Sequence, residues 1–154
     1  MPVELAGLLS QELETLQSFN DLLRREQALL AAGTTEGLTD LAAEKSITAV
    51  ELGRLATARD RELARRHLPL GRAGMDAWTL TAAGAPSQVQ WDRLLSLAAE
   101  ARALNEANGR VIALQLQHNQ QALSVLMAAA DQMATYGPDG QPLAGTGGRS
   151  LGSA

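Results

Sequence analysis

Cysteine is absent from the 154 residues, which excludes disulfides and thiolate metal sites. Aromatic residues make up only 3%, namely Phe19, Trp78, Trp91 and Tyr136. The 45% hydrophobic content is therefore mostly Leu and Ala, the composition of packed helices. Val, Ile and Thr do not gather in alternating runs, so strands have little support. Positive charge is also short. A formal net charge of −4 argues against a general nucleic-acid binder, which needs a basic field to displace counterions from phosphates. No apolar run approaches the roughly 20 residues that span a bilayer. The opening "MPVELAGLLSQELE" places acidic residues where a signal peptide needs positive charge. A soluble, untargeted chain without stable membrane insertion is expected.

What is present is helical periodicity. Leu9, Leu13, Leu16, Asn20, Leu23, Gln27 and Leu30 recur in steps of four and three, a heptad seam that predicts a first helix over 4–31. Leu5, Leu8, Phe19, Leu22 and Leu29 widen it. Gly33 stops this helix, and Thr34 or Thr35 can cap the next. A second helix is predicted over 36–67, burying Leu38, Leu41, Ala42, Ile47, Ala49, Leu52, Leu55, Ala56 and Leu63. The short gap between the two implies an antiparallel hairpin. The arginines of "RDRELARRH" read as a solvated set favouring a helix C-terminus.

Prolines and glycines break residues 68–86 into a connector, expected to hold one short helical turn around Met75 to Leu80. Trp78 would plug the open end of the bundle. Ser87 would cap a third helix over 87–135, about 70 Å long at 1.5 Å per residue. That exceeds either arm of the hairpin, so part of it should bend or lack a partner. Residues 136–154, "YGPDGQPLAGTGGRSLGSA", hold too few apolar side chains to offset the entropy of ordering and read as a flexible Gly/Pro-rich tail. The expected fold is all-α: an antiparallel helical hairpin plus a long third helix in a coiled-coil-like bundle, one domain over 1–135, then the tail.

Chemistry-bearing patterns are missing. His67 and His118 each lack a second ligand four residues away. Glu12, Glu14, Asp40 and Glu44 sit among basic residues at spacings that give helix-surface pairs, with Glu44 and Lys45 on an ordinary charged face. The glycines form no G-x-G-x-x-G or P-loop pattern. No enzymatic activity, cofactor or metal is expected.

The stretch "LNEANGRVIALQLQHNQQALSVL", residues 104–126, is rich in uncharged amides. On a helical wheel Ile112, Leu116, Leu123, Met127 and Ala130 form one apolar stripe, with Asn119 or Gln120 in its gap. A neighbouring line alternates apolar side chains with amides through Leu104, Asn108, Val111, Gln115, His118, Ala122 and Val125. Gly109 sits mid-helix at a cost of roughly 1 kcal/mol relative to Ala, tolerable where another backbone approaches closely. Two readings stand. Amides at seam positions can set the register of an intramolecular bundle. Alternatively, the surface receives another protein's amphipathic helix, with Met127 adapting to varied partners.

Several runs resemble the FlgN family of flagellar export chaperones: Leu104-Asn105, Asn108-Gly109, His118-Asn119-Gln120-Gln121-Ala122-Leu123, and Tyr136-Gly137-Pro138-Asp139-Gly140-Gln141. "EQALLAAG" followed by "LAAEKS" is similar to the family's first hairpin. The resemblance implies a cytoplasmic helical protein that binds the C-terminal amphipathic helices of hook–filament junction proteins. It would keep them from associating early and deliver them to the flagellar type III export apparatus. The receiving surface would then centre on Asn105, Asn108, Gly109, Ile112, Leu116, Asn119, Gln120, Leu123 and Met127. The family docks on the cytoplasmic domain of the export gate through a tyrosine, which corresponds to Tyr136, flanked by Gly137, Asp139 and Gly140. The export ATPase complex is a further implied contact, and a monomer or weak homodimer is expected. A self-associating coiled coil without cargo is the alternative.

Overall fold

The structure, a computed structural model, describes residues 4–135. Its elements in order are α1 (Leu5–Ala31), α2 (Leu38–Arg65), α3 (Gly71–Thr79), a 3-10 turn (Ala85–Ser87) and α4 (Gln88–Thr135). Among the described residues there is no strand. The three long helices lie where the apolar periodicity puts them. The connector holds more than expected, since α3 is a nine-residue helix rather than a single turn. The chain divides into two compact units, one ending at Val111 and the other beginning at Ile112. That division falls inside α4. The residue 136–154 tail lies outside the described residues.

In the first unit α1 and α2 are antiparallel, as the pairings of Glu12 with Arg59 and Glu26 with Lys45 require. The early part of α4 runs parallel to α1, because Asn20 meets Leu97 and Glu26 meets Asn108. Leu5, Leu9, Leu16 and Leu23 of α1, Leu63 of α2, and Trp91, Leu94 and Leu97 of α4 form the core. Each such side chain contributes roughly 1.5–3 kcal/mol by leaving water. Met75 and Trp78 of α3 join the same cluster, so the connector closes the core with its buried tryptophan.

Several expected core positions lie elsewhere. Gln27 is exposed, and the neighbouring Glu26 is buried in its place. Ala42, Ile47 and Ala49 are exposed as well, and Ile47 keeps 72% of its surface in solvent. The reason is the narrowness of the α2 seam. Its buried residues Leu41, Leu55 and Glu62 recur at multiples of seven, with Leu63 beside them. That is a coiled-coil seam rather than a broad apolar face.

Both arms of the hairpin end in the same way. At the end of α1, Gly33 takes a left-handed φ of 68°, Gly33 N donates to Leu30 O, and Thr34 N donates to Leu29 O. At the end of α2, His67 takes φ 56°, His67 N donates to Ala64 O, and Leu68 N donates to Leu63 O. These are Schellman closures. In the second, a histidine holds the conformation for which glycine is better suited.

Candidate functional site

The second unit contains residues 112–133 of α4, and every one of them except Gln115 is exposed. Ile112, Leu116, Leu123 and Met127 retain 46%, 57%, 58% and 61% of their surface. They recur at intervals of four, seven and four residues and so share one side of the helix. Leu114 and Val125 lie on another side and are equally open. Asp131 is the only Asp, Glu, Lys or Arg in this stretch. Good helix formers dominate it, and Ser124 Oγ donates back to Gln120 O at 3.0 Å. The result is a helical surface of alkyl and amide groups that none of the described residues of the unit covers. Asn119 and Gln120 are exposed beside the stripe and can offer hydrogen bonds without the cost of desolvating a charge.

The other three expected surface residues belong to the first unit. Asn105 is exposed there. Gly109 is exposed too, and nothing lies within 4 Å of where its Cβ would be, so no backbone approach among the described residues explains the glycine. Asn108 is a correction to the expected surface, being only 1% exposed. Its Nδ2 donates to Leu23 O and to Glu26 Oε1, each at 2.9 Å. Asn20 Nδ2 donates the other way, from α1 to Leu97 O at 3.0 Å. The register-setting reading of the amides thus holds at Asn108, and the amides from Asn119 onward face solvent. Tyr136, Gly137, Asp139 and Gly140 lie outside the described residues.

Two charge networks that the sequence reading placed on the surface are internal. Glu26 receives Lys45 Nζ at 3.1 and 2.9 Å in addition to Asn108, joining α1, α2 and α4. Glu12 receives both contacts of Arg59 Nη1 at 2.7 Å, with side-chain exposures of 8% and 11%. The Arg59 guanidinium lies 5.6 Å from the Trp91 ring centroid, within cation–π range. Trp91 Nε1 donates to Asp76 Oδ1 at 2.8 Å, so α3 enters the same network. Burial pushes the Glu12 carboxyl above its ordinary range; Arg59 opposes that shift and Asp60 adds to it. Further along "RDRELARRH", Arg65 and Arg66 both pair with the buried Glu62. That segment is therefore structural rather than merely solvated. A signal existed in the sequence: 12 and 59, like 26 and 45, lie symmetrically about positions 35 and 36, the middle of the hairpin loop.

Among the described residues no group of three or more His, Cys, Asp or Glu could hold a metal ion, and no helix is long and apolar enough to cross a membrane. His67 and His118 are both exposed. Fold and surface together define a helical bundle protein that presents a long, nearly uncharged helical face. The sequence profile of the FlgN protein family matches residues 1–144, and the chain belongs to that family. Two sequences from Yersinia enterocolitica, one of them from serotype O:8 / biotype 1B, bear the name flagella synthesis protein FlgN. Each is 31% identical over 134 residues, covering 86% of this chain and 84% of its own length. A crystal structure from Pseudomonas aeruginosa, assigned to a flagella synthesis protein FlgN, matches with a TM-score of 0.64. It is 24% identical and covers 73% of this chain and 90% of its own, a likeness of fold.

Proposed function

We propose that this protein serves flagellum assembly as an export chaperone, acting by binding rather than catalysis. The exposed stripe from Ile112 to Met127 receives the C-terminal amphipathic helix of a hook–filament junction protein in the cytoplasm. Residues 136–140 then dock the loaded chaperone on the cytoplasmic domain of the export gate, with Tyr136 as the inserted side chain. The observation that carries this reading is the open alkyl-and-amide face of residues 112–133. An apolar face of this kind, with few charges to desolvate, suits an amphipathic helix laid along it. The family membership and the names of the Yersinia relatives support the flagellar setting. The same lack of charge leaves no like-charge repulsion against a second copy, which favours self-association as the second reading.

Calorimetric titration with peptides from the C-terminal ends of hook–filament junction proteins tests the proposal. Saturable binding that is lost in Leu116→Asp and kept in Tyr136→Ala supports separate cargo and gate surfaces. No binding by the intact protein, together with an obligate dimer in sedimentation, supports the self-associating coiled coil instead.

A further inference from the structure

Three of the chain's asparagines stand in apolar seams of the same spacing. Leu13, Leu16, Asn20 and Leu23 of α1 recur in steps of three, four and three. Leu97, Ala101, Leu104 and Asn108 of α4 recur in steps of four, three and four. Further along α4, Ile112, Leu116, Asn119, Leu123 and Leu126 repeat the pattern, and Gln120 falls outside it. Steps of this kind keep the members of a set on one side of their helix.

The first two asparagines meet a facing helix, and the two junctions are built alike. Asn20 Nδ2 donates to Leu97 O at 3.0 Å, and Asn108 Nδ2 donates to Leu23 O at 2.9 Å. The asparagines themselves are 0% and 1% exposed. Each amide thus holds a main-chain carbonyl of the helix opposite, and Asn108 adds Glu26 Oε1. A helical carbonyl points to the turn that follows it, where the side chain four residues on lies over it. Those covering residues are Ala101 and Gln27, one small and the other polar and exposed. A large apolar side chain shields neither carbonyl.

Asn119 is the third such amide. It is exposed, with no hydrogen-bond partner among the described residues. Leu116, Leu123 and Leu126 of its seam keep 57%, 58% and 66% of their surface. We propose that Asn119 sets the register of the helix that docks on residues 112–127, donating its Nδ2 to one main-chain carbonyl of that helix. The inference rests on the cargo-binding reading and adds what the cargo helix must carry. Its apolar seam is interrupted, four residues beyond the accepting carbonyl, by a small or polar residue. A large apolar residue there covers the carbonyl and leaves the amide buried without a partner. Because the contact is to main chain, helices of different sequence can meet it, provided that this one position is open. An amide at a seam fixes register at a cost in stability relative to leucine in the same place.

The chain has no cysteine, so an introduced one reports position without background. The test uses the full chain with Leu116→Cys or Leu123→Cys, two positions one heptad apart. The probes are peptides from the C-terminal ends of hook–filament junction proteins, each with one cysteine in its seam. Disulfide formation in a thiol buffer reads the register, and calorimetry on the cysteine-free chain reads affinity. With Asn119 in place, a given peptide cysteine should favour one of the two positions by about tenfold or more. Asn119→Leu should bind the peptide at least as tightly and reduce the preference to within about threefold, since a uniform seam lets the helix slip by a heptad. Changing the peptide's small or polar residue opposite Asn119 to Leu should weaken binding to the parent about tenfold, and should not weaken binding to Asn119→Leu. No preference with Asn119 in place, or a preference that survives in Asn119→Leu, overturns the role of Asn119. Both results leave the cargo stripe standing, because both require peptide bound at Leu116 and Leu123. No binding by the parent chain, or binding without a disulfide at either position, overturns the cargo stripe and the role of Asn119 with it.

Discussion

Asn108 of α4 reaches the α1 helix and donates through one nitrogen to both Leu23 O and Glu26 Oε1, each at 2.9 Å. Glu26 in turn holds Lys45 of α2, so a single buried amide ties three helices at one level. Replacing it with a side chain of similar size removes a buried donor from two acceptors, one of them charged, although Glu26 keeps Lys45. Asn108→Leu should cost about 1–3 kcal/mol, read as a lower urea midpoint. An unchanged midpoint would mean that the three-helix junction does not depend on this amide.

His67 closes α2 in a left-handed conformation with φ 56°, where a side chain with a Cβ is strained. His67→Gly relieves that strain and leaves the two closing hydrogen bonds in place. The gain should be up to about 1 kcal/mol, the increased chain entropy of glycine in the unfolded state offsetting part of it. Thermal unfolding checks this, and a lower melting temperature would show that the imidazole contributes something beyond its backbone angle.

Two glycines should respond in opposite ways to the same change. A Cβ on Gly74 would lie 1.7 Å from Pro69 O, so Gly74→Ala must displace the connector backbone and should be strongly destabilising. Gly109 has open space around it inside a helix, and Gly109→Ala should stabilise by roughly 1 kcal/mol. If that glycine is there for close approach of a cargo helix, the stabilised variant will bind cargo peptides less tightly. Calorimetry on parent and variant separates the two properties.

Glu12 gives a pH dependence of definite sign. Burial raises its carboxyl above the unfolded value, so the folded protein binds more protons there than the unfolded chain. Its contribution is then complete below the unfolded pKa and declines as pH rises toward the folded one. The stability of the parent relative to Glu12→Gln should therefore fall across that window and level off above it. Paired denaturant titrations from acid to neutral pH read the difference. A difference that grows with pH would show that Arg59 outweighs burial.

The long helices were legible because Leu repeats at heptad spacing along each of them and Gly33 interrupts the pattern at the right place. Their buried polar partners were harder to see. Glu12 read as a surface carboxylate, since nothing in local spacing distinguishes a glutamate that meets an arginine across a hairpin from one facing water. Only the symmetry of 12 with 59 and 26 with 45 about the loop carries that information, and it requires the hairpin register. Ile47 misled in the other direction, because hydrophobicity alone does not reveal how narrow a seam is. At the candidate site, the apolar stripe from Ile112 to Met127 was legible from periodicity, but its exposure was not, because the same pattern suits a bundle seam. Asn108 was not, because an amide on a seam suits a buried junction and a receiving surface equally well.

The central claim is that residues 112–127 form a surface kept open for a partner helix. Amide hydrogen exchange of the full chain, with and without a cargo peptide from a hook–filament junction protein, tests it most directly. The expected result is slow exchange through the core of the first unit in both states, with protection gained over residues 112–127 only when peptide is present. Protection of that segment in the free protein at a level that rises with protein concentration would contradict the claim, as would peptide-induced protection confined to other helices.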